Sequence, residues 1–107
     1  MLRDKTLVIV GNQITEIRDG FVGEGHVIDL RGSFVLPGLI DSHVHLTSQQ
    51  SPSGRLDEVT RDAADSAMIG ARFARRTLLA GFTTVADLGG DNDAVFALRD
   101  GIARGDV

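Results

Sequence analysis

The chain has 107 residues, 42% of them hydrophobic and 24% charged, with a formal net charge of −4. That balance is ordinary for a folded domain, and its acidic sign argues against a nucleic-acid partner, which needs a basic surface. Cysteine is absent, so disulfides and thiolate metal sites are excluded. The longest early apolar run, Leu7 to Val10, is too short for a signal peptide or a membrane span. A soluble, cytoplasmic protein is expected. The 13 glycines, about twice the usual share, predict tight turns or close backbone approaches.

Taken in order, Thr6 to Leu36 reads as short strands separated by turn residues. Thr6–Val10 is β-branched and apolar, Gly11-Asn12 is a two-residue hairpin signal, and Gln13–Ile17 alternates. His26–Leu30 and Ser33–Leu36 are read as two more strands about the Arg31-Gly32 turn, completing a small antiparallel sheet.

The period changes after Pro37-Gly38. Leu39–Leu46 is strand-like, and the polar stretch Thr47 to Arg55 reads as a loop. From Leu56 to about Ala80, Val59, Ala63, Ala67, Ala71, Ala74 and Leu78 recur at helical spacing. Gly70 inside that helix costs about 1 kcal/mol against alanine and marks a point of close packing. Gly81 is placed to stop the helix. Phe82–Leu88 reads as a second buried strand, and Asp91–Ala103 as a helix capped by Asp91 or Asn92. Strand, helix, strand, helix is the pattern of βαβ units on a parallel sheet, an α/β class. Residues 1–36 and 37–107 therefore divide into a strand-rich part and a βα part.

The chemistry concentrates in Pro37–His45. Residues two apart on a strand share a face, so His43 and His45 present their imidazoles side by side. Two neutral imidazoles on one strand can share a divalent cation, with zinc the first choice. A bare His-x-His is a weak signal, since such a pair can equally be surface or packing residues. Its place at the C-terminal end of the first parallel strand raises it, because barrel-type α/β folds put their active sites there. Asp41 shares that face and either orients a histidine or belongs to a polar layer. His26 reads as a half-exposed strand residue, and Arg72, Arg75 and Arg76 as a solvated helix face.

Leu36–Leu46, with its Pro-Gly-Leu-Ile-Asp-Ser-His-Val-His core, resembles the opening motif of the amidohydrolase superfamily of metal-dependent hydrolases. Val27–Gly32 is similar to the small β-sandwich that precedes the barrel there. Thr77–Gly90 resembles the second barrel strand of its imidazolonepropionase-like and prolidase-like branch. The resemblance implies β-sandwich-like strands followed by the first two βα units of a TIM barrel, the barrel incomplete. His43 and His45 match the family's first two metal ligands, in sites of one or two ions. The family's carboxylated lysine, two further histidines and catalytic aspartate find no counterpart, because Lys5 and His26 lie in the strand-rich part. Asp87 ends the second strand, but the family's catalytic aspartate comes from the last strand, and Ala86 stands where this branch often has arginine. Asp87 is read as structural, or as a distant pocket residue.

The reaction implied is hydrolysis of an amide, cyclic amide or short peptide-like C–N bond in a small-molecule substrate. The isolated chain is expected to be inactive. The competing reading is a non-catalytic metal-binding or structural module, which would leave a parallel strand edge unpaired.

Overall fold

The computed structural model describes residues 2–107, the Glu58 side chain excepted. The chain divides into two compact units, Met1–Leu36 and Pro37–Val107.

The first unit is built on one hairpin. β1 (Lys5–Val10) pairs antiparallel with β2 (Gln13–Asp19), closing at Val10 opposite Gln13. Gly11 supplies the left-handed residue that the tight turn requires, at φ +64°. The pairing slips by one residue after Val8, and Thr15 Oγ1 donates to the Val8 carbonyl there. At the open end, Thr6 Oγ1 donates to Gly20 O and accepts from Val22 N. The two strands expected at His26–Leu30 and Ser33–Leu36 do not form. Only the turn between them does, with Ser33 N donating to Leu30 O and the Asp29 carboxylate taking the Arg31 amide. The reason is burial. A strand needs a neighbouring ladder and an apolar face to cover, yet Phe34 is 75% exposed and Leu36 72%.

The second unit holds the parallel pair. β3 (Leu39–Val44) and β4 (Phe82–Asp87) run side by side. Leu39 N donates to Gly81 O at one end, and Leu88 N to Val44 O at the other. The crossover is two helices rather than the single one expected: α1 (Gly54–Thr60) and α2 (Ala63–Leu79). Asp62 makes the break. Its extended backbone and its carboxylate, which accepts from Asp65 N, are those of a helix N-cap, so a new helix starts where the periodicity alone ran on. Gly81, at φ +101°, ends α2. α3 (Asn92–Arg104) is capped by Asp91 and closed by left-handed Gly105.

α2 packs on α3 and against β4, and the buried residues gather where the helices meet the segment after β3. Among them are Leu46, Thr47, Ala94 and Leu98, with Gly70 of α2 and Gly101 of α3 also buried. Gly70 of α2 faces this cluster: a Cβ there would lie 2.9 Å from Leu98 Cδ2 and 3.2 Å from Thr47 Cγ2. On the other side of Thr47 is Gly90, at φ +153°, where a Cβ would meet Thr47 Oγ1. Thr47 is therefore seated between two backbones that carry no side chain.

Replacing Gly70 with alanine gains about 1 kcal/mol of helix propensity and loses roughly 1–3 kcal/mol to overpacking. Gly70→Ala should thus lower stability by about 1 kcal/mol net. Gly90→Ala should cost more, since it adds an unfavourable φ to the steric clash. Amide hydrogen exchange in α2 and α3 reads both, and slower exchange in Gly70→Ala would contradict this packing.

Candidate metal centre

The two strands end together. In a parallel pair both C-termini lie at one edge, and here that edge carries His43, His45, Asp87 and Gly89. The ladder pairs Asp41 with Val85 and resumes at Val44 with Asp87, so β3 contains one extra residue. Such bulges re-aim side chains next to sites. The His43 amide goes to the Asp41 carboxylate, 3.0 Å away. Asp41 thus holds the backbone of His43 rather than a ring.

The His43 and His45 rings stand edge to face with centroids 5.3 Å apart. Both residues are exposed, so the pair opens to solvent. His45 lies just beyond the last residue of β3, and its Nδ1 is 2.9 Å from the Gly89 carbonyl. A carbonyl oxygen only accepts, so Nδ1 carries the proton. In the neutral ring Nε2 is then left with its lone pair. That is the arrangement in which a histidine is prepared to ligate a metal, its other nitrogen held by a backbone carbonyl. The donor chemistry therefore fits a divalent cation at the His43–His45 pair.

The rest of a site is not assembled from these residues. Among the described residues no group of three or more His, Cys, Asp or Glu side chains is placed to hold a metal. Lys5 pairs with Asp19 on the hairpin, and His26 lies exposed in a bend of the first unit. Arg72 and Arg76 stack over Phe73, at 5.0 and 5.8 Å from the ring centroid, on an exposed part of α2. Asp87 takes two backbone amides: Oδ2 from Leu46 N at 2.8 Å and Oδ1 from Gly89 N at 3.1 Å.

The partner of the His45 ring escaped the sequence reading, because Gly89-Gly90 reads there only as the close of a strand. The signal that could have found it is Asp87-Leu88-Gly89, an aspartate two residues before a glycine, which favours a turn closed by its own side chain.

The amidohydrolase family model matches residues 34–105, and the chain belongs to that family. Among individual proteins, it is similar to adenine deaminase 2 of Oenococcus oeni. The two are 29% identical over 89 residues, which are 80% of this chain and 14% of that protein. Dihydroorotase of Methanothermobacter thermautotrophicus is 37% identical over 76 residues, 71% of this chain and 15% of its own length. The Arabidopsis thaliana protein LONG AFTER FAR-RED 3 is 46% identical over 48 residues, 44% of this chain and 8% of that protein. The matched part of the chain thus spans no more than 15% of the length of these relatives. Among the described residues no helix is long and apolar enough to cross a membrane.

Proposed function

We propose that this chain is the opening part of a metal-dependent amidohydrolase, and that His43 and His45 are two of its metal ligands. The observation that carries the reading is the hydrogen bond from His45 Nδ1 to Gly89 O, with the His43 ring alongside. Both histidines are exposed rather than packed in the interior, which favours a role beyond packing. The chemistry a divalent cation supplies when bound is a water acidic enough to ionise near neutrality and a polarised scissile carbonyl. His43 and His45 would hold the ion, Asp41 would keep the His43 backbone in place, and Gly89 O would fix the His45 tautomer.

On this reading the parallel pair is the start of a TIM barrel, and the hairpin unit is part of a small composite β-sandwich. Family membership and relatives named as a deaminase and a dihydroorotase support hydrolysis of a C–N bond. The substrate proposed is small, with an amide, cyclic amide or short peptide-like bond. The likeness of Thr77–Gly90 to the imidazolonepropionase-like and prolidase-like branch favours substrates of that kind. Zinc is the ion of choice, given imidazole ligands, and a cytoplasmic setting accords with the absence of cysteine.

Zinc titrated into the chain by calorimetry should bind weakly, because catalytic zinc normally has three protein ligands. Affinity should fall as pH is lowered, since only neutral imidazole ligates. Binding should be lost in the double variant His43→Ala/His45→Ala, and equal binding by the two proteins would sink the assignment. In a longer protein carrying this segment, chelation or His43→Ala should abolish hydrolysis.

The 107 residues alone should be inert and should associate. Ile40 on β3 is 73% exposed, and Leu39, Leu79 and Leu88 are also open to solvent. A parallel pair with uncovered apolar residues and a free edge invites further pairing. Sedimentation should show concentration-dependent oligomers. A monodisperse monomer with a cooperative melt would favour a self-sufficient module instead.

A further inference from the structure

We propose that Asp87 is the positioning residue of the metal centre, setting the tautomer of His45 through the backbone that its carboxylate holds; the inference rests on the reading of His45 as a ligand. The geometry is a closed circuit. The Leu46 amide, one peptide bond from His45, donates to Asp87 Oδ2. The Gly89 amide donates to Asp87 Oδ1. The Gly89 carbonyl then accepts the His45 Nδ1 proton. One carboxylate thereby fixes both the root of the histidine and the group that its ring must meet.

The strand ladder alone does not do this. Its last backbone bond in this region is Leu88 N to Val44 O, one residue short of His45 and of Gly89. Beyond that point the chains diverge into a loop and a glycine pair, and Gly89 could turn its carbonyl elsewhere at little cost. Asp87 continues the pairing past the ladder with side-chain oxygens, and it is half-buried in doing so. A residue that merely capped the two strands would change stability without deciding which nitrogen of His45 carries the proton. In an unconstrained imidazole the proton prefers Nε2, the nitrogen that must be bare here to ligate.

The test reads the proton directly. Long-range proton–nitrogen correlation spectra of the ¹⁵N-labelled, metal-free chain, at a pH where the ring is neutral, report the His45 tautomer. In the wild type it should be Nδ1–H. In Asp87→Ala it should pass mostly to Nε2–H. Asp87→Asn keeps one accepting oxygen but opposes the second amide with its own NH₂, so it should give a mixture. Asp62→Ala, which alters only the cap of α2, should leave His45 unchanged. Zinc affinity in Asp87→Ala should drop roughly 3- to 10-fold, at or below the lower end of what removing a direct partner of a ligand costs.

An Nε2–H tautomer in the wild type would overturn the proposal, and this holds even should Asp87→Ala fail to fold. So would an unchanged tautomer in either Asp87→Asn or a folded Asp87→Ala. Zinc binding with a tautomer indifferent to Asp87 would remove the positioning role and leave the ligand reading intact. A tautomer governed by Asp87 in a chain that binds no zinc would uphold the positioning and reject the ligand reading.

Discussion

The second unit depends on where Thr47 sits. It is 6% exposed, held between a helical glycine and a glycine after β4 whose backbone no ordinary residue would adopt comfortably. Leu46 beside it is buried as well. Two consecutive buried residues immediately after His45 mean that the chain cannot swing at this point. Loops are usually the mobile part of a fold, yet this one starts from a fixed anchor. The histidine pair inherits that rigidity from one side and from β3 on the other.

The same economy runs through the backbone. Amides that lack a ladder or helical partner must still find an acceptor, and here aspartates provide it repeatedly. Asp41 takes the His43 amide at the bulge, Asp62 and Asp91 take first-turn amides of α2 and α3 (Asp65 and Asp93), and Asp87 takes two at the strand ends. Part of the acidic balance of the chain is therefore spent within the fold. Charge of this kind says less about partners than the net value would imply. The ion pairs of exposed arginines are different: Arg99–Asp100 and Arg104–Asp106 lie on the surface, where such pairs add little stability.

Legibility from sequence followed the distance over which each feature is decided. The hairpin, both parallel strands and α3 with its Asp91 cap were readable because turn residues, apolar runs and caps are local. Gly70 was readable as a point of close packing, though not what packs there. The helix break at Asp62 is not legible in the periodicity, which is compatible on either side, and the cap competes with it over a single turn. The strands expected at His26–Leu30 and Ser33–Leu36 are absent for the opposite reason: their patterning is sound, but among the described residues their apolar side chains stay exposed. Pairing partners are not written in the segment that needs them. In the site, the histidine pair was visible from a spacing of two, while the Gly89 carbonyl lies 44 residues away from His45. A backbone oxygen leaves no residue signature.

That separation has a consequence for how site and fold are coupled. His43 and His45 sit on one strand, so their proximity needs only β3 to be extended. The tautomer that frees His45 Nε2 needs more: β4 must be paired, Asp87 seated, and Gly89 turned toward the ring. In the unfolded chain the two imidazoles are near neighbours without this selection. If His43 and His45 hold a cation as proposed, it binds the folded unit better than the unfolded one, and by linkage it stabilises the βα pairing. The differential is bounded, because two histidines in sequence retain some affinity for metal in any extended conformation.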